Sequence, residues 1–99
     1  MVKEINEIEF KELTGSGKVV VDCFAPWCGP CRMLSPIIDE LASELTDYTF
    51  YKLNVDDNAN IAEEFEIFSI PTLLYFEDGK LVKKKIGLLN KEEIISMIK

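Results

Sequence analysis

Two cysteines separated by only two residues, Cys28 and Cys31, are the residues of this chain best suited to covalent chemistry. Cys28-Gly29-Pro30-Cys31 stands at the start of a long amphipathic pattern, where a helix would leave backbone N–H groups unpaired and its positive end exposed. A thiolate is favoured there, so the spacing predicts an outward, nucleophilic Cys28 and a more protected Cys31 one turn inward. Gly29 leaves room for a partner's close approach, and Pro30 restricts the ring that a Cys28–Cys31 disulfide would close. The chemistry is thiol–disulfide exchange: Cys28 attacks a disulfide, a mixed disulfide forms, and Cys31 resolves it.

Asp22 interrupts Val19-Val20-Val21-Asp22-Cys23-Phe24, the apolar run leading to the dithiol. An acid pointing inward from such a run would hold its proton toward neutrality, as an acceptor for the Cys31 thiol requires. The competing arrangement places Asp22 at a strand end in solvent. Trp27, the only tryptophan, would form either a core ring or, beside the thiol, a docking surface. Cys23 faces away from Asp22 if the strand alternates and reads as an inert buried thiol, with regulatory oxidation as the alternative.

The elements that position these residues follow from local pattern. A short edge strand is expected over 2–5, then a helix capped by Asn6 and Glu9 and stopped by Thr14-Gly15-Ser16-Gly17. Lys18 to Phe24 reads as a central strand because its valines are continuous rather than alternating. Met33, Leu34, Ile37, Ile38, Leu41, Ala42 and Leu45 give a helix through Leu45, with Pro36 bending it. A strand over 49–55, a helix over 59–65 and a strand over 72–77 follow. Asp78-Gly79 turns that strand into an antiparallel partner over 80–86. Asn90 and Glu93 cap a last helix. Helices between strands imply parallel crossovers and the terminal hairpin makes the sheet mixed, so the expected fold is one α/β domain over 1–99.

Composition removes other classes. With 47 % hydrophobic and 29 % charged residues, the 99-residue chain has an ordinary globular balance and enough length for one core. A net charge of −7 opposes binding to nucleic acid or anionic lipid, and the one basic run, Lys83-Lys84-Lys85, reads as a solvated strand face. No apolar run is long enough to span a membrane and no secretory pattern opens the chain, so a soluble, non-secreted protein of the cytoplasm is expected; a monomer is expected as well. The chain has no His and one further cysteine, so a zinc site would require cysteines from two subunits; no metal and no cofactor is expected.

Trp27-Cys28-Gly29-Pro30-Cys31, preceded by Asp22 and followed by Ile70-Pro71-Thr72, resembles the thioredoxin family, and the similarity runs from Phe10 to about Ile95. The resemblance implies a thioredoxin-like fold and a reductase of protein disulfides, its dithiol regenerated by thioredoxin reductase. It implies that Asp22 is the buried acid below the dithiol and Lys52 the lysine near it. Pro36 would be the kinking proline and Pro71 a cis-proline beside the site. Ile70 would offer its backbone to an extended substrate segment, and Gly87 would border the docking surface. Cys23, Phe24, Pro26 and Phe68 depart from common family choices, Phe68 making the docking surface more apolar. Gly29-Pro30 resembles the reducing branch. Glutathione-dependent reduction and redox-dependent binding with little turnover are the competing activities.

Overall fold

The computed structural model describes residues 2–99. Continuous burial of Val19, Val20 and Val21 makes β2 (Lys18–Phe24) the centre of a five-stranded sheet. β3 (Thr49–Asn54) runs parallel beside it and carries β1 (Lys3–Ile5), also parallel, on its outer edge. β4 (Thr72–Glu77) lies antiparallel on the other side of β2, and β5 (Lys80–Ile86) lies antiparallel to β4. The sheet order is β1-β3-β2-β4-β5. The expected mixed sheet with a C-terminal antiparallel hairpin is therefore present. The parallel crossover expected of every helical connection fails at α3 (Ala59–Glu64), however: β4 runs antiparallel to β2 and hence to β3. A six-residue helix, about 9 Å long, is too short to carry the chain back along the sheet.

Alternation along β2 divides the core. Val19, Val21 and Cys23 pack with Leu53, Leu74 and Phe76, and with Phe10 of α1 (Glu7–Leu13) and Ile61 of α3 (Ala59–Glu64). Val20, Leu73 and Tyr75 face the opposite way. They meet Leu34, Ile38 and Leu41 of α2 (Gly29–Glu44) and Ile94, Met97 and Ile98 of α4 (Lys91–Ile98). Two residues on from Val20, Asp22 falls on the α2 face, directly opposite Lys52 in the β2–β3 register. Pairing order thus decides which acid and which base lie beneath the dithiol.

Local chemistry sets the ends. Both capping boxes form: Asn6 and Asn90 accept from the amides of Glu9 and Glu93, whose carboxylates accept in return from the cap amides. Asp78 and Gly79 both adopt positive φ, 49° and 87°, matching the backbone twist of a two-residue hairpin. Four boundaries differ by one residue from expectation. Val2 precedes β1 and packs with the α2-side core, Leu45 caps α2, β3 stops at Asn54, and Phe65 caps α3 before Glu66 turns to φ 53°. Pro36 lies inside α2 and withholds one amide from its ladder. In the basic run, Lys83 and Lys85 are exposed, whereas Lys84 donates to the carbonyls of Phe65 and Glu66 just past α3.

Candidate active site

The end of β2 delivers the chain to a turn in which the Cys28 amide donates to the Ala25 carbonyl at 3.2 Å. Cys28 becomes the N-cap of α2, with Gly29 and Pro30 as the first two helical residues. Pro30 lacks an amide at a position where none is required by the helix. The Cys31 amide donates to Cys28 Sγ at 3.2 Å, so the sulfur occupies the place of a capping oxygen. Cys28 and Cys31 are joined in a disulfide, with Cα atoms 5.3 Å apart.

An outward Cys28 was expected, and the structure corrects this: in the disulfide form Cys28 is 4 % exposed and Cys31 3 %. Ala25 packs directly on the pair, with Phe24, Val55 and Ile70 around it. What distinguishes the two sulfurs is their surroundings. Cys28 Sγ lies 3.9 Å from the Ile70 carbonyl oxygen, on the side of the cis Ile70-Pro71 bond. Cys31 instead borders a cavity of about 240 Å³ that also reaches Asp22, Ser35 and Lys52.

Asp22 is 1 % exposed, which excludes the solvent-facing arrangement, and its Oδ1 has no hydrogen-bond partner. Burial pushes the carboxyl up to about 7; the Lys52 charge pulls it down, and Asp39 pushes it up further. The Lys52 ammonium hydrogen-bonds the Ser35 hydroxyl. Cys23 is buried on the opposite face, where burial and then the Asp22 charge push its thiol up and keep it protonated.

Trp27 is a surface ring, 68 % exposed, and its Nε1 donates to Asp56 Oδ2 at 2.8 Å. Phe68 is 86 % exposed. Ile70 is half-buried and Pro71 buried. The Gly87 amide donates to the Pro71 carbonyl at 2.8 Å, which brings the end of β5 to the proline loop. At φ 103° Gly87 holds a backbone conformation that a side chain would strain. Ile70 thus lies against the disulfide, Asp22 and Lys52 share a cavity with Cys31, and Gly87 is bonded to the Pro71 loop. Lys52 is bonded to Ser35 rather than Asp22, and Phe68 is an exposed ring on the loop before Ile70.

Sequence reasoning missed Ser35 and Asp56. Ser35 carried a usable signal, since a residue four after Cys31 lies on the same helical stripe. Asp56 carried none, because nothing local relates it to Trp27, 29 residues away.

A dithiol capping a helix, above a buried acid and beside a cis-proline, defines a thiol–disulfide oxidoreductase on a mixed α/β sheet. The family model described as Thioredoxin matches residues 1–99. Thioredoxin of Chlamydia pneumoniae is 49 % identical over 98 residues, covering 99 % of this chain and 96 % of the relative. Among solved structures, oxidised mitochondrial thioredoxin 3 of Saccharomyces cerevisiae aligns with a TM-score of 0.90 at 35 % identity, over 98 % of this chain and 92 % of that one. Plasmodium falciparum thioredoxin gives 0.91 at 31 % identity, over 98 % and 96 %. The chain belongs to the thioredoxin family, and Cys28–Cys31 is its redox-active disulfide.

Proposed function

We propose that this chain reduces protein disulfides with Cys28 as nucleophile, Cys31 as resolving thiol and Asp22 as proton acceptor for the resolving step. The observation that carries the acid's role is the shared cavity: a buried, unpartnered carboxyl oxygen and Cys31 line one space large enough for water. In the reduced protein, the Cys28 thiolate attacks a substrate disulfide and expels one substrate thiolate. Asp22 takes the Cys31 proton, directly or through water, and the Cys31 thiolate attacks Cys28 Sγ. The second substrate thiolate leaves, two electrons have passed to the substrate, and the Cys28–Cys31 bond has formed. An acid near 7 is suited to both accepting and returning that proton at neutral pH.

Trp27, Phe68, Ile70, Pro71 and Gly87 form the substrate surface in this reading. The exposed rings support it, as does the Ile70 carbonyl beside Cys28 Sγ. Thioredoxin reductase regenerates the dithiol of a monomer working in the cytoplasm, where thiols are kept reduced. Turnover with that reductase, compared with glutathione, tests the electron source.

Insulin-disulfide reduction with dithiothreitol tests the dithiol. Cys28→Ser should abolish protein-catalysed reduction, and Cys31→Ser should trap substrate on Cys28; wild-type rates in both variants would remove the reading. In stopped-flow experiments Asp22→Asn should slow release from the mixed disulfide by about tenfold or more at pH 7 and leave its formation less affected. The wild-type release rate should rise through about pH 7, and the variant should lack that inflection. Slower formation with unchanged release would reject Asp22 as the base.

A further inference from the structure

Register places Lys52 opposite Asp22, yet the two form no ion pair. Among the described residues the ion pairs are Lys3 with Glu9 and Lys91 with Glu40 and Glu44. Lys52 Nζ donates instead to Ser35 Oγ. A lysine ends in a compact charge on a flexible four-carbon stem, so a fixed Cα does not fix where that charge sits. Its hydrogen-bond partner does. Ser35 lies one helical turn after Cys31 and borders the same cavity as Cys31, Asp22 and Lys52. Its hydroxyl thus reaches outside α2 rather than back to its own helix, the usual alternative for an interior serine.

We propose that Ser35 is a positioning residue: its hydroxyl tethers the Lys52 ammonium to the α2 wall of the cavity, leaving the Asp22 carboxyl facing Cys31 without an ion-pair partner. The proposal rests on the reading of Asp22 as the resolving-step base. Freed from Ser35, the ammonium has the unpartnered Asp22 Oδ1 as a buried acceptor on its own face of the sheet. Closing onto it would favour the carboxylate and make Asp22 a weaker base. The other groups around this acid are few. From α2 come Asp39, which raises its proton affinity, and Arg32, whose Nη1 donates to the Pro26 carbonyl at 2.9 Å. Glu4 of β1 borders the cavity, and neighbouring Cys23 in β2 stays a neutral thiol. None of these is held by Ser35.

The test is the NMR titration of the Asp22 side-chain carboxyl carbon in the oxidised protein, where neither Cys28 nor Cys31 titrates. Ser35→Ala, a substitution favourable to the helix, should lower the Asp22 midpoint by about 0.5 to 1 pH unit. Ser35→Thr keeps the hydroxyl and should restore the wild-type midpoint. In a Lys52→Met background Ser35→Ala should have no effect. An unchanged or raised midpoint in Ser35→Ala, no restoration by threonine, or the same shift without Lys52 would each overturn the tether. This titration reads the Asp22 proton whether or not that proton serves catalysis, so its failure is separate from failure of the Asp22→Asn kinetics.

Discussion

Burial is the first cause of Asp22's high proton affinity, and it makes the residue a burden on the fold wherever it ionises. The native carboxyl titrates at about 7, against an ordinary value of 3.8. Below about pH 4 Asp22 is protonated in both folded and unfolded chains and exerts no pH-dependent penalty. As pH rises from about 4 through about 7, the unfolded chain releases the proton first, so stability falls. A displacement of this size corresponds to about 4 kcal/mol at the upper limit. Asp22→Asn should therefore stabilise the oxidised protein by about 2–4 kcal/mol at pH 8, and the gain should vanish near pH 4; urea unfolding at the two pH values measures it. An equal gain at both would show that charge burial is not the cause. The acid was legible because valines surround it, and the dithiol because its spacing is short. Ser35 and Asp56 were harder to see because their parts are set by partners on other elements, Lys52 on β3 and Trp27 before α2.

The elements were read most securely where side chains answer backbone groups nearby. Asn90 and Glu93 satisfy one another's amides at 2.8 and 2.9 Å, and Asn6 and Glu9 do the same at the start of α1. α4 is also clasped to α2 by Lys91, whose ammonium lies 2.7 Å from both Glu40 and Glu44. Because that clasp is solvent-exposed, capping should contribute more to α4 than the ion pairs do. Asn90→Ala should cost about 1 kcal/mol in urea unfolding and Asn90→Asp much less, since aspartate also caps. Equal losses would assign Asn90 another role. The four ends that shifted by a residue, at Val2, Leu45, Val55 and Phe65, lack such a device: their side chains still pack while the backbone lies outside its regular path.

At the scale of the whole molecule, the strand order was the part that local pattern left open. Helical connections suggested parallel crossovers, which α1 and α2 make and the short α3 does not; Asp78-Gly79 required a hairpin, but nothing local put β1 against β3 or β4 antiparallel against β2. Such pairings join residues distant in sequence: β4 against β2 brings Pro71 to Cys28, as β3 against β2 brings Lys52 under α2. One sheet then serves two apolar faces, with Ile61 in one and Ile38 in the other, both fully buried. Ile61→Val and Ile38→Val should each cost about 1 kcal/mol. Separated by the sheet, they should combine to within about 0.5 kcal/mol of their sum. A strand set shared by both faces cannot keep its register when either face is lost, so the double variant should unfold in one transition. Far-UV circular dichroism reports the helices on both faces, and the single Trp27 reports the active-site end. Their urea curves should coincide in all three variants; midpoints that separate in the double variant would mean that the sheet does not couple its two cores.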